Sequence, residues 1–121
     1  MDKPIFVVDD SITHLTLTAG ILKERYPVMT IPSGEKAIAL LEKVKPCLIL
    51  LDIEMPGMDG FDVLKHLKSS EELRTIPVIF LTASIVPEME KRALEMGVID
   101  IMKKPFDPPA LLDQISRLIK A

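Results

Sequence analysis

Four short apolar runs of this 121-residue chain each stand directly after a proline. Proline is tolerated at the first residue of a strand and disfavoured in the centre of a sheet, so each proline marks the start of a strand. A fifth and weaker run follows Gly97. The five runs are Ile5–Val8, Val28–Ile31, Cys47–Leu51, Val78–Leu81 and Val98–Met102. Because they are continuously apolar instead of alternating, they predict strands that are covered on both faces.

Between these runs, apolar residues recur at steps of three and four, which is the period of a helix. Ser33 and Asp107 stand where capping residues begin the second and the fifth helix. The helical sets are Ile12, Leu15, Ala19, Leu22 and Tyr26; Ala37, Leu41 and Val44; Phe61, Leu64 and Leu67; Ile85, Met89, Ala93 and Met96; and Leu111, Ile115 and Leu118. Five strands alternating with five helices predict one α/β domain over residues 1–121, a parallel sheet with helices on both faces.

Charge and composition exclude several classes of function. The formal net charge of −3 shows no basic excess, so we expect no direct binding of nucleic acid. The apolar runs are far shorter than the roughly 20 residues that a membrane-spanning helix needs. No signal peptide is recognisable at the start of the chain, and the single Cys47 fits a reducing compartment. We therefore expect a cytoplasmic protein that does not bind membranes.

Polar residues follow four of the predicted strands. Asp9 and Asp10 come after the first, Asp52 after the third and Thr82 after the fourth, and the fifth leads to Lys104. Ligands of open α/β sheets bind at the carboxyl ends of the strands, so one shared site is expected there. Each residue also has an ordinary interpretation, the aspartates as helix caps, the threonine as a turn residue and the lysine as solvated surface.

The combination of these residues points to a particular chemistry. Three carboxylates brought together repel one another, and a divalent cation relieves that repulsion. A nearby lysine would neutralise charge on an incoming anion. An acidic cluster with one lysine therefore suits phosphoryl transfer, in which a metal ion and a cationic side chain offset charge on the phosphoryl oxygens.

The loop that follows the third strand carries the most specific signal. Pro56-Gly57 is a turn sequence, and Asp59 is placed to cap a helix that begins near Gly60. Nearly the whole chain resembles the receiver domain of two-component response regulators. The features that carry the resemblance are the acidic pair Asp9-Asp10, the Asp52-x-x-Met-Pro-Gly-Met-Asp-Gly loop, Thr82-Ala83 and Lys104-Pro105-Phe106. The resemblance implies a flavodoxin-like, doubly wound five-stranded sheet in the order 2-1-3-4-5.

The resemblance also implies a role for each residue of the acidic site. Asp52 is the expected phosphoacceptor, which attacks the phosphohistidine of a partner kinase and forms an acyl phosphate. Mg²⁺, for which Mn²⁺ can substitute, is the expected cofactor. Its ligands would be Asp10, Asp52 and the backbone carbonyl of Glu54, with Asp9 acting partly through water.

Other residues take their roles from the same resemblance. Lys104 would pair with a phosphoryl oxygen, the Thr82 hydroxyl would move to bind another, and the Ala83 backbone N–H a third. The Lys104–Pro105 bond would be cis. Gly57 and Gly60 would shape the backbone of the loop.

Three positions concern switching and phosphoryl lifetime. The family often has Tyr or Phe three residues before the lysine as a switch residue, and this chain has Ile101. We hypothesise that coupling from Thr82 to the surface is weaker here or is carried by other residues. Glu54 and Ser84 would lie over the phosphorylation site and are candidates for tuning the lifetime of the acyl phosphate.

The expected function is a phosphorylation-dependent switch, not an enzyme beyond its own phosphotransfer and slow autodephosphorylation. Partners would be a histidine kinase or phosphotransfer protein and a downstream target or effector domain, with the protein a monomer or a phosphorylation-dependent dimer. The target surface would include Ile85–Gly97, Val98–Met102 and Leu111–Ile119. The alternatives are a scaffold that works without phosphorylation and a small phosphatase with Asp52 as nucleophile. His14 and His66 are expected at the surface or the rim of the site.

Overall fold

A computed structural model describes residues 3–119 and shows five strands that alternate with five helices. The strands are β1 (Ile5–Val8), β2 (Val28–Ile31), β3 (Leu48–Asp52), β4 (Val78–Thr82) and β5 (Asp100–Lys103). The helices are α1 (Ile12–Leu22), α2 (Gly34–Leu41), α3 (Gly60–Lys68), α4 (Pro87–Glu95) and α5 (Pro108–Leu118).

The strands form one parallel sheet in the order β2-β1-β3-β4-β5, which confirms the order that the resemblance implied. Consecutive strands are joined by helical crossovers, as parallel pairing requires. The chain adds β2 on one side of β1 and then β3, β4 and β5 on the other. The direction of winding thus reverses between β1 and β3, and ligand sites of such sheets lie at the carboxyl ends near this reversal.

Successive residues of each central strand enter two separate cores. Phe6 and Ile49 face a core that α2, α3 and α4 cover, whereas Ile5 and Leu48 face a core that α1 and α5 cover. All residues of β1, β3 and β4 are buried. Coverage on both faces explains why these strands have continuous apolar sequences without a polar side.

The boundaries of the fifth predicted strand were wrong. The strand begins at Asp100, because Val98 belongs to the turn that closes α4, where its N–H donates to the carbonyl of Ala93. Gly97 makes this turn possible with a φ of 97°, in the left-handed region that glycine adopts without strain. The third strand likewise begins at Leu48 instead of Cys47, and Asp52 is its last residue.

Several helices are shorter than those that the spacing of apolar residues predicted. Tyr26 lies beyond the end of α1 and Val44 beyond the end of α2, each with its N–H bonded back to a carbonyl of the preceding turn. Ile85 precedes α4, because that helix begins at Pro87, and Met96 is its C-cap. These residues continue the apolar pattern through turns, so periodicity alone placed the helix ends too far out.

The predicted N-caps are confirmed. Ser33 accepts a hydrogen bond from the N–H of Lys36, and Asp107 accepts one from Ala110. Asp59 caps α3 within a capping box, since Asp62 also accepts from the Asp59 N–H. Within residues 3–119, no helix combines the length and the apolar character needed to cross a membrane.

Candidate functional site

The carboxyl ends of β1, β3, β4 and β5 bring the predicted polar residues to one edge of the sheet. Asp9 directly follows β1, and Asp52 is the last residue of β3. Thr82 is the last residue of β4. The backbone N–H of Lys104 donates to the Thr82 carbonyl at 2.7 Å, which extends the pairing of β4 with β5 by one residue.

Three aspartates form an acidic cluster at this edge. Asp9, Asp10 and Asp52 each offer a carboxylate oxygen, and these oxygens lie within 4.8 Å of one another. Asp9 and Asp52 are buried, whereas Asp10 is exposed. Neither Asp9 nor Asp10 caps α1, because Ser11 is its N-cap. Capping therefore does not account for this acidic pair.

Lys104 lies between two of the aspartates. Its Nζ is 3.2 Å from Oδ2 of Asp9 and 3.2 Å from Oδ1 of Asp52. Burial by itself would lower the pKa of Lys104, but the negative charges of Asp52 and Asp9 outweigh it and raise the pKa. The lysine therefore stays protonated and offsets part of the negative charge of the cluster.

Asp52 is the aspartate with the most perturbed environment. Burial, followed by repulsion from Asp9, raises its pKa from 3.8 to about 6, although the charge of Lys104 opposes the shift. Only 3% of the residue is exposed. An additional positive charge beside this carboxylate would stabilise its ionised form.

One oxygen of Asp52 is incompletely satisfied. Oδ1 is buried and has no hydrogen-bond partner within the described part of the chain, since the nearby Nζ of Lys104 makes an ion pair outside hydrogen-bonding geometry. Buried polar atoms of native proteins are normally satisfied by protein, water or an ion. Hard divalent cations prefer carboxylate oxygens, so this residue set fits Mg²⁺.

The loop after β3 is held close to Asp52 by its backbone. The N–H of Gly60 donates to the carbonyl of Ile53 at 2.8 Å. A Cβ at Gly60 would lie 2.7 Å from the carbonyl oxygen of Asp52 and 2.8 Å from Cα of Ile53. Gly57 has a φ of 74°, which other residues rarely adopt. The two glycines thus let the chain turn tightly behind the aspartate.

Thr82 and Glu54 make a contact that the sequence did not predict. The Thr82 hydroxyl donates to Oε1 of Glu54 at 3.1 Å and to the carbonyl of Ser84 at 3.1 Å. Thr82 is buried, while Glu54 and Ser84 are exposed. Because β3 and β4 are neighbours, the residues just beyond their ends meet, and local sequence patterns do not predict this pairing.

The contacts of His14 with Lys104 and Asp9 are the second set that the sequence did not predict. The histidine is exposed, as expected, yet its Nδ1 lies 3.2 Å from Nζ of Lys104 and 3.5 Å from Oδ2 of Asp9. It also borders a cavity of about 310 Å³ together with Leu17, Ala83 and Phe106. The position of His14 in the first turn of α1 does not predict these contacts, because Lys104 lies 90 residues further along the chain. His66 is exposed on α3, away from the acidic cluster.

The structure also describes three further predicted positions. The Lys104–Pro105 peptide bond is cis, which is the geometry that the resemblance implied. Ile101, on β5, is half-buried and packs against the core that α2, α3 and α4 cover. Ala83 is exposed directly after β4.

The sheet order is that of a flavodoxin-like fold, and its acidic edge holds a cluster of three carboxylates that could bind a metal ion, with a lysine beside them. The family model of the response regulator receiver domain matches residues 5–116. The chain therefore belongs to this family, the receiver domains of two-component response regulators.

Individual relatives agree with this assignment. The chain is 36% identical to the two-component response regulator ORR3 of Oryza sativa subsp. indica, over 95% of the chain and 89% of that protein. It is 35% identical to a probable cyclic di-GMP phosphodiesterase of Vibrio cholerae, over 92% of the chain but only 25% of that protein. The chain thus spans a quarter of the length of that relative. The structure of the Vibrio cholerae chemotaxis protein CheY4 is similar with a TM-score of 0.92 and 28% identity, over 98% of this chain and 100% of that one.

Proposed function

We propose that Asp52 accepts a phosphoryl group from a phosphohistidine and that the resulting acyl phosphate switches the domain between two conformations. The observation that carries the proposal is the buried Asp52 carboxylate, which has one unsatisfied oxygen beside Lys104 and two further aspartates. A carboxylate in this setting is a nucleophile with its charge-neutralising groups already in place. On this proposal the receiver domain extends over residues 1–121.

The transfer step conserves atoms and charge. A carboxylate oxygen of Asp52 forms a bond to phosphorus while the phosphorus–nitrogen bond of the phosphohistidine breaks, and the imidazole nitrogen keeps the electron pair. Such transfers depend mainly on positioning and charge neutralisation. Lys104 Nζ, which lies 3.2 Å from Asp52 before the reaction, would then pair with a phosphoryl oxygen.

A bound Mg²⁺ would neutralise charge on the transferring phosphoryl group. Asp10, Asp52 and the backbone carbonyl of Glu54 would hold it, with Asp9 acting partly through water, and Mn²⁺ could replace it. Asp9 also accepts a hydrogen bond from the Ser11 N–H and pairs with Lys104, which supports a role in orienting the site.

The switch would run from the phosphoryl group through Thr82 to the surface. The Thr82 hydroxyl and the Ala83 N–H would bind phosphoryl oxygens, and movement of Thr82 would shift the equilibrium between two states of the domain. Ile101 would transmit less of this movement than an aromatic residue. Glu54 and Ser84, exposed beside Thr82, would tune the lifetime of the acyl phosphate.

The proposed phosphoryl transfer requires a donor protein, and the proposed switch requires a protein that recognises the changed surface. A histidine kinase or phosphotransfer protein would supply the phosphoryl group in the cytoplasm, and a downstream target or effector domain would read the surface of α4, β5 and α5. That surface exposes apolar side chains, among them Leu94, Ile99 and Leu118, which supports a protein partner. The domain would act as a monomer or dimerise on phosphorylation.

Labelling with acetyl phosphate tests the proposal. With Mg²⁺, we expect one base-labile phosphoryl group on the wild-type protein by intact mass, and none on Asp52→Asn. Asp113→Asn, which changes an exposed aspartate of α5, should label like the wild type. Equal labelling of Asp52→Asn would overturn the assignment, and absence of labelling in the wild type would favour a phosphorylation-independent scaffold. Steady turnover of p-nitrophenyl phosphate, which we do not expect, would indicate a phosphatase.

A further inference from the structure

The Thr82 hydroxyl already uses its single proton in this structure. A hydroxyl has one O–H to donate and two lone pairs. Thr82 shares its proton between Oε1 of Glu54 and the carbonyl of Ser84, both at 3.1 Å. The oxygen accepts from the N–H of Ser84 at 3.3 Å. The hydroxyl is therefore fully engaged before any phosphoryl group arrives.

A phosphoryl oxygen can only accept hydrogen bonds, so it must compete for that same proton. We infer that Glu54 is a positioning residue. Its carboxylate holds Thr82 in the unphosphorylated orientation until an oxygen of a phosphoryl group on Asp52 replaces it as the acceptor of the Thr82 hydrogen bond. The inference rests on the proposed function, since it presumes that Thr82 turns towards Asp52. It goes beyond a role of Glu54 in phosphoryl lifetime, because it assigns the residue an effect before any phosphoryl group is present.

The burial of the two partners makes this contact asymmetric. Thr82 is only 2% exposed, so its hydroxyl has little access to water as an alternative acceptor. Glu54 is exposed, so its carboxylate is readily hydrated once the contact breaks. The exposed position of the acceptor keeps the bond reversible. This combination suits a contact that stabilises one state without trapping it.

Two substitutions separate the hydrogen bond from the charge. Glu54→Gln keeps an oxygen acceptor of the same reach but removes the negative charge, and Glu54→Ala removes both. If the carboxylate acted only by repelling the phosphoryl group, both variants would have the same effect. If the hydrogen bond is responsible, Glu54→Gln should resemble the wild type. Glu88→Gln, an exposed glutamate on α4, serves as the matched surface control.

The first measurement uses the unphosphorylated protein without Mg²⁺, so it does not depend on phosphotransfer. Three-bond scalar couplings report the χ1 populations of Thr82. We expect one dominant rotamer in the wild type, Glu54→Gln and Glu88→Gln, and a measurable population of a second rotamer in Glu54→Ala, where the Ser84 carbonyl remains as an acceptor of the Thr82 proton. An unchanged single rotamer in Glu54→Ala would overturn the inference.

The second measurement titrates each protein with beryllofluoride and Mg²⁺, a non-transferable mimic of the phosphoryl group. We expect Glu54→Ala to bind about three- to tenfold more tightly, the effect of losing one competing hydrogen bond, and Glu54→Gln to stay within about twofold of the wild type. Equal tightening in both variants would assign the effect to charge and overturn the inference. If the wild type binds no beryllofluoride, the proposed function fails, and the Thr82 couplings still decide the role of Glu54.

Discussion

Lys104 places its Nζ 3.2 Å from Oδ1 of Asp52, and this ion pair joins the end of β3 to the residue that follows β5. The pair lies beside Asp9, so one half-buried cation faces two buried carboxylates. Burial of Asp52, and after it the repulsion from Asp9 that the single lysine does not cancel, raises the pKa of Asp52. This burial and this excess of negative charge are the physical basis of the first two predictions.

Replacing Asp52 by Asn should stabilise the protein at neutral pH. The folded-state pKa of about 6 exceeds the ordinary value of 3.8, so the folded state holds this proton more tightly than the unfolded state. Ionisation of Asp52 therefore costs stability as the pH rises from about 4 through 6. We expect Asp52→Asn to raise the free energy of unfolding by roughly 1–3 kcal/mol at pH 7.5 and by little at pH 4. Urea unfolding at both pH values measures this, with the exposed Asp113→Asn as control; equal effects at the two pH values would contradict it.

Mg²⁺ should stabilise the wild type and not Asp10→Asn. Asp10 is exposed, so its substitution should change the stability of the metal-free protein by less than about 0.5 kcal/mol. It removes one carboxylate of the proposed metal site. At ten times its dissociation constant, Mg²⁺ should add about 1.4 kcal/mol to the wild type. Thermal unfolding with and without Mg²⁺ gives the comparison, and full stabilisation of Asp10→Asn would argue against the site.

Adding a methyl group at Gly60 should destabilise the protein. The new Cβ would lie under 3 Å from backbone atoms of Asp52 and Ile53, which cannot move without displacing Asp52. We expect Gly60→Ala to cost roughly 1–3 kcal/mol. Gly20→Ala is the matched control, since nothing lies within 4 Å of its Cβ; on α1 it should stabilise by about 0.5–1 kcal/mol. Urea unfolding compares the two, and equal effects would refute the steric argument.

Arg92 should anchor α4. Its guanidinium carbon lies 3.9 Å above the centre of the Phe61 ring, and Phe61 packs edge-on against Phe80 of β4. Ala93 is the only residue of α4 that is buried, and Met89 is partly buried against the same core, so few side chains attach the helix. We expect Arg92→Ala to lower the free energy of unfolding by about 0.5–1 kcal/mol and to speed hydrogen exchange within α4. The exposed Lys91→Ala is the control, and the same acceleration there would remove Arg92 from this role.

The aliphatic Ile101 should limit how far the switch spreads along β5. Ile101 is half-buried against the core beneath α2, α3 and α4 and has no hydroxyl to exchange partners. With beryllofluoride and Mg²⁺, amide chemical shifts should change strongly near Asp52 and Thr82 and only modestly around Ile101. Two-dimensional NMR of the labelled protein provides the test. A large rearrangement at Ile101 would show that an isoleucine transmits the signal fully.

Local patterns were enough to predict the sheet and the positions of its polar residues. Proline before Ile5, Val28 and Val78 marked strand starts correctly, because proline acts on the backbone next to it. The ends of α1 and α2 were missed, since Tyr26 and Val44 extend the apolar spacing through turns that only packing distinguishes from helix. The strand order came from the family resemblance, since local patterns do not specify which strands pair.

The sequence by itself determined the succession of strands and helices, the caps Ser33, Asp59 and Asp107, and the residue types at the strand ends. These depend on interactions within a few residues, which spacing and composition record directly. Only the tertiary structure decided that Lys104 pairs with both Asp9 and Asp52, that the pKa of Asp52 rises to about 6, and that the Thr82 hydroxyl donates to Glu54. Those features depend on distances of a few ångströms between distant parts of the chain and on burial, because electrostatic energy depends on separation and on exclusion of water.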